Sequence, residues 1–442
     1  MAFTEFCCRS GGSNLNSGTR TGNSTEPGTT ADFTYTSGTW VNATNTFTRL
    51  DAGSFVTDGI AVGDFASLYP DAATVTPYVS RITTVGATTL VLSTTAKSGT
   101  APIDGVANTS VKVGGAGKGP NAAENFPMGF VANTMTNSSS SKPRVNLKND
   151  ATYSITAQIT QITGTQTVAY AGYTTSYFDG GRAIIDGGVA GASYILLSAG
   201  GNNHFYADII FQNNGATGSG AGLSSAGRNI FFRCVVNNIR GYGISSSNNN
   251  LFLECEIYAC NQSNTISLAG ILLSGGFAIR CVSHDNAGSN SSGFAVTNVA
   301  AYMNECISDT NGQYGIYFNL AAAASAIKNC DIYNNGSNGI QFAGGATSFP
   351  IIIENCNIIK NNGWGILSGT DAVTIGVLTN CGFGTGSQAN VSGDISGFAH
   401  VVQIGTINYS SGVTPWVDPA NGDFRISLGA AKGTGRGAFT QT

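Results

Sequence analysis

The stretch IIIENCNIIKNNGWGIL, Ile351 to Leu367, decides how this chain reads. Short apolar runs flank a cysteine, a polar pair follows, and a glycine precedes an aliphatic residue. The preceding segments SAIKNCDIYNNGSNGIQF (Ser325 to Phe342) and AYMNECISDTNGQYGIYF (Ala301 to Phe318) repeat the same order. Cysteines fall at Cys234, Cys255, Cys281, Cys306, Cys330, Cys356 and Cys381, in steps of 21, 26, 25, 24, 26 and 25 residues. A fixed period of this size is the signature of a stacked repeat. The apolar runs are too short for helices of ordinary length and are separated by turn residues.

Each repeat reads as one coil of short parallel strands, with coils about 4.8 Å apart, the spacing of strands in a sheet. One coil cannot bury its own apolar face, and the next coil does so. Like residues then stack on like. The seven cysteines are expected to form an inward column of small buried groups. Five residues later, Asn286, Asn311, Asn335 and Asn361 form a second column, interrupted earlier by Cys260 and Ile239, in which amides can bond along the stack. The repeat contains no CxxC-type spacing, so no metal or cofactor is expected.

This pattern resembles the right-handed parallel β-helix, or pectate-lyase-like, superfamily in its NCxIxxNxGxGI form, over roughly residues 145–390. The resemblance implies an all-β, right-handed, single-stranded parallel β-helix. It does not imply one activity, because the superfamily includes lyases, hydrolases, epimerases, adhesins and phage tailspikes.

The rest of the chain suggests further parts. Residues 1–32, rich in Gly, Ser, Thr and Asn, read as an extended arm, with Cys7-Cys8 an interfacial or incidental pair in it. Residues 33–118 read as a small β barrel or sandwich, similar to small barrels of bacteriophage structural proteins. Residues 119–144 read as a linker, and 391–442 as a capping segment that covers the last coil. The 442 residues carry a formal net charge of −4, and only 10% are charged. No basic stripe suits nucleic acid, and no long apolar run suits membrane insertion. The start MAFTEFCCRSGGSNLNSGTR lacks a secretory pattern, which implies synthesis in a cytoplasm with the ten cysteines as thiols.

Three sets of residues invite chemistry. His284, Asp285 and Asp309 make the only cluster resembling an acid–base constellation; the competing reading is a solvated turn. Asp179 and Asp186 precede glycines and read as turn residues. Tyr242, Tyr314 and Trp364, each just before a Gly-aliphatic pair, could offer rings to sugars; the alternative is aromatics folded over a turn. Arg233, Glu254, Arg280 and Glu305, just before the cysteines, alternate in sign and read as a structural ladder.

The expectation is a virion structural protein of a tailed bacteriophage: a spike, fibre or capsid appendage resembling tailspike and fibre proteins. It would be joined to other virion proteins through its N-terminal arm, self-associated (a trimer by resemblance), and in contact with host surface glycan. The competing expectations are a polysaccharide lyase or glycoside hydrolase, and an extracellular adhesin or filament subunit at a bacterial surface.

Overall fold

The computed structural model describes residues 2–9, 31–69, 78–98, 103, 109–113, 117–118, 141–155, 159–161, 167–177, 179–188, 194–199, 203–214, 220–262, 269–286, 288–297, 300–319, 325–343, 351–368, 375–385, 389–397, 400–409, 413–421 and 423–427. The described chain is all β, apart from one 3-10 turn at Pro419–Asn421. Two units are distinguished: Met1–Asp186 with Ala199–Ile210, and Gly187–Ser198 with Phe211–Thr442.

The first unit contains a seven-stranded antiparallel sheet within residues 33–113, in the order Phe33–Tyr35, Ser110–Val113, Phe65–Tyr69, Tyr78–Val85, Thr89–Ser98, Thr46–Arg49 and Gly38–Val41. Its core is aromatic and aliphatic, with Trp40, Phe47, Phe55 and Leu90 wholly buried. Arg49 lies over Tyr35 and Phe55 while pairing with Asp58, so a charged head is tolerated against the core's edge.

The same unit corrects the expected arm. Ala2–Arg9 is a strand, paired in parallel register with Ser141–Lys148. That second strand reaches into the expected linker, and it pairs in turn with Ala169–Tyr173. Phe6, Cys7 and Cys8 are therefore buried, with Cys7 Sγ 2.9 Å from Tyr173 Oη. The physical reason lies in FTEFCCR itself, which has apolar residues enough for a half-buried strand. Residues 1 and 10–30 of the expected arm, and residues 119–140 of the expected linker, lie outside the described residues.

The second unit is the stack of coils, and one coil shows how it is built. Ile351–Glu354 forms the first face, Asn357–Ile359 the second, and Trp364–Ser368 the third. Asn355 (φ 55°) turns the first corner and Lys360 (φ 58°) the second. Left-handed conformations are disfavoured for residues with a Cβ, yet the first corner recurs at Arg233, Glu254, Arg280, Glu305, Asn329 and Asn380 with φ of 51–55°. The ladder continues round the bend and offsets this cost. The corner N–H of Asn355 donates to Thr379 O in the following coil, and Asn357 N–H to Cys330 O in the preceding one, both at 2.9 Å.

Parallel register carries this coil through its neighbours: Ile327, Ile353 and Leu378 align inward on the first face, and Ile332, Ile358 and Phe383 on the second. The glycine before each aliphatic residue admits close approach. A Cβ on Gly339 would lie 2.7 Å from Gly365 O and 2.8 Å from Asn361 Nδ2.

The coils run beyond the expected end at residue 390. Gly393–Ser396 pairs with the third-face strand at Trp364, His400–Ile404 with Ile375–Thr379, and Ile407–Tyr409 with Gly382–Gly384. The closing segment also differs in place from the expected cap. The antiparallel hairpin Trp416–Asp418/Asp423–Ile426 lies along the second face, where Trp416 and Phe424 pack with Ile307, Tyr333, Ile359 and Tyr409. These outward side chains are apolar, and the hairpin takes them out of water; Tyr333 is 4% exposed.

Candidate functional site

All seven repeat cysteines are buried free thiols. Most donate upward: Cys281 Sγ to Phe252 O at 3.4 Å and Cys306 Sγ to Ala278 O at 3.3 Å. Burial pushes the Cys255, Cys281 and Cys330 thiols well above the usual range. Such thiols are packing groups, poor in the thiolate that reactivity requires.

The asparagine column is continuous. Asn286 Nδ2 donates to Asn311 Oδ1 at 2.6 Å, Asn311 to Asn335 at 3.0 Å, and Asn335 to Asn361 at 2.9 Å. It extends to Asn390, 2.9 Å from Asn361, which the sequence spacing hid because that coil is longer. A second, outer amide ladder links Asn380, Asn355, Asn329 and Asn304. Above it Arg280 Nη2 meets Glu254 Oε1 at 2.6 Å.

His284, Asp285 and Asp309 come together on the second face. His284 and Asp309 are register partners, and the imidazole stacks on Tyr258 of the preceding coil at 5.2 Å and 18°. Its Nδ1 is 2.7 Å from Asp285 Oδ2, and its Nε2 is 3.3 Å from Glu256 Oε1. Glu256 is the member the sequence reading missed; its position one residue after a cysteine, alternating with Tyr258 on the same outward side, was the available signal. Burial disfavours the charged imidazole, but the bonds to Glu256 and Asp285 and the nearby carboxylates outweigh it and raise His284 to about 9. Burial pushes the Asp309 carboxyl up to about 6, against the pull of His284. The set is thus a cationic imidazole held between two carboxylates, with a third, hidden carboxyl that stays partly protonated near neutrality.

The aromatic residues fall on the third face. Tyr242 lies three coils from Tyr314, separated by Ala269 and Ser292, and does not join it. Tyr314 instead stacks on Tyr317 of its own coil, ring centroids 5.3 Å apart and 14° from parallel. Asn338 stands between Tyr314 and Trp364. Its Nδ2 donates to Gln341 Oε1 at 2.6 Å, and its Oδ1 accepts from Trp364 N at 2.6 Å. Burial raises both Tyr314 and Tyr317, which therefore remain neutral donors. Trp364 sits over Gly393, where a Cβ would come 2.6 Å from the ring. The result is half-buried rings around a fixed amide pair. Asp179, by contrast, accepts backbone N–H bonds from Thr174, Thr175, Ser176 and Gly181 and organises its own turn.

Among the described residues, no group of three or more His, Cys, Asp or Glu is placed to hold a metal ion, and no helix is long and apolar enough to cross a membrane.

The family described as right handed beta helix region matches residues 267–391. The repeats form a right-handed parallel β-helix. Among solved structures, the chain is similar to the A-module of the mannuronan C-5 epimerase AlgE6 of Azotobacter vinelandii. Identity is 14% and the TM-score 0.35, over 60% of this chain and 90% of that one. No curated protein matches. The β-helix carries both candidate patches, the carboxylate–histidine set on its second face and the tyrosine–amide strip on its third.

Proposed function

We propose that this β-helix binds a polysaccharide without cleaving it, as a rigid part of a bacteriophage virion that meets the host surface. The observation that carries the binding reading is the parallel Tyr314–Tyr317 stack beside the Asn338–Gln341 amide pair and Trp364. Ring faces suit the apolar faces of sugars, and fixed amides suit their hydroxyls, a combination usual in ligand sites. The virion part of the reading rests on the resemblance of residues 33–118 to small β barrels of bacteriophage structural proteins. Isothermal titration with purified host capsular or lipopolysaccharide glycan tests the first part. Tyr314→Ala and Tyr317→Ala are each expected to weaken binding about tenfold, roughly 1.4 kcal/mol. Unchanged binding in both variants refutes it. Detection of the chain in purified particles tests the second part.

One observation favours a second reading, glycan cleavage at the second face: the Asp309 carboxyl, pushed up to about 6 by burial, is the register partner of His284, which bonds Glu256 and Asp285. A glycosidase needs a raised acid set against a second carboxyl group. Sizing the glycan after incubation decides between the two. Shortened chains that vanish in Asp309→Asn establish the enzyme; unshortened chains leave the binding reading.

A further inference from the structure

We infer that the first face of the β-helix is where a second copy of this chain docks, the two sheets packed face to face and running antiparallel about a two-fold axis. This inference is independent of the glycan reading.

The starting point is a row of apolar side chains pointing to solvent. Ile230 is 37% exposed, Phe277 46%, Ile352 41% and Val402 48%, with Ile404 beside the last at 55%. Among the described residues of the second unit, these five are among eight exposed large apolar residues; of the others, Val391 lies on a turn, Val413 just before the hairpin and Val417 on it. Register joins the row without a gap across eight coils, through Leu251, Tyr302, Ala326 and Val377. The exposed area is on the order of several hundred Å², which reaches the ~300–600 Å² of the largest patch on a typical monomer. The second face shows how this fold treats outward apolar residues elsewhere: its own hairpin covers them. Among the described residues, no segment does so on the first face.

Three features point to a copy of the same chain as the occupant. First, the row repeats at the strand spacing, and a matching surface must repeat at the same spacing; this face on a second copy does. Second, the sizes are self-complementary about the row's centre. A two-fold axis between Tyr302 and Ala326 sets Tyr302 against the partner copy's smallest position. It likewise sets Phe277 opposite Ile352, Leu251 opposite Val377, and Ile230 opposite Val402. Third, the corner column beside the row is charged in one half only. Under the same axis Glu254 faces Asn380, Arg280 faces Asn355, and Glu305 faces Asn329, so no like charges meet. Packed sheets stand about 10 Å apart, room enough for these side chains to interdigitate, and two-fold pairs are the commonest closed oligomers. The inference is thus of a pair, where resemblance suggested a trimer.

Light scattering on the full chain after size exclusion, across a wide concentration range, tests this. The expected mass is that of two chains of 45.2 kDa. Phe277→Glu and Ile352→Glu, both exposed in the single chain, are expected to weaken self-association at least a hundredfold with unchanged circular dichroism. Val391→Glu, more exposed but off the face, is expected to leave the pair intact. Under mild oxidation, a mixture of Tyr302→Cys and Ala326→Cys chains is expected to cross-link, while neither chain does so alone. A monomer or a trimer in the wild type overturns the inference, as does a pair unaffected by Phe277→Glu or a cross-link in Ala326→Cys alone.

Discussion

Removing Asn335 from the inner ladder tests the idea that the coils are held in register by amides as well as by apolar packing. Asn335 is 1% exposed. Its Oδ1 accepts from Asn311 Nδ2 at 3.0 Å and from Asn311 N at 3.2 Å, and its Nδ2 donates to Ser308 O at 3.2 Å and to Asn361 Oδ1 at 2.9 Å. In Asn335→Ala, Asn311 Nδ2 keeps Ser283 O and Ser308 Oγ, and Asn361 Oδ1 keeps Asn335 N. The backbone N–H of Asn311 loses the acceptor shown for it. An orphaned buried donor costs about 1–3 kcal/mol, and the small void adds about 1 kcal/mol. The expected loss is therefore about 2–4 kcal/mol, read as a lower urea midpoint in far-ultraviolet circular dichroism at unchanged slope. Asn335→Asp keeps the acceptor but turns a carboxylate toward Asn361 Oδ1, so its loss should be larger at neutral pH and should shrink in acid. Asn362→Ala, on the exposed side of the corresponding turn one coil on, should stay within about 0.5 kcal/mol of wild type. An Asn335→Ala protein as stable as Asn362→Ala would refute the reasoning.

Other outcomes follow from the same structure. Cys330→Ala should cost on the order of 1–2 kcal/mol through cavity formation, and Cys281, Cys306, Cys330 and Cys356 should resist a thiol reagent until the protein unfolds. Trp416→Ala should strip the hairpin from Tyr333 at a cost of about 3–5 kcal/mol to that region, detected as new proteolytic cleavage after Tyr409. Stability should fall as pH rises through two windows, because Asp309 and His284 both hold their protons more tightly when folded. The first runs from about 3.8 to about 6 for Asp309, and the second from 6.5 to about 9 for His284. His284→Gln should abolish the second, as followed by thermal melts across pH.

The coils were legible because one period sets them: a cysteine, an alternating triplet, and a glycine where backbones approach. The first strand was not, since nothing in FTEFCCR names a partner more than a hundred residues away at Ser141–Lys148. The final coil was hidden for a smaller reason. Thr406 occupies the next position in the cysteine series, and Gly405 (φ 67°) occupies the corner, so the coil forms without its marker. The hairpin's place depended on reading Ile307, Tyr333 and Ile359 as outward residues in need of cover, which requires knowing the face and not only the spacing. At the candidate site, His284, Asp285 and Asp309 were visible as residue types, whereas Glu256 required register between coils. The Tyr314–Tyr317 stack required the turn geometry at Gly315.

The left-handed first corner also makes this protein an unusually regular scaffold for engineering. The backbone asks of that position only that it tolerate φ near 50°, which asparagine does more readily than Arg or Glu. The later coils already carry Asn329, Asn355 and Asn380 there, while the earlier ones carry Arg233, Glu254, Arg280 and Glu305. Each coil thus exposes one outward side chain whose identity is set by its surroundings and not by the fold. A ruler of such positions, one per strand spacing, could display chosen groups at about 4.8 Å intervals without disturbing the core beneath.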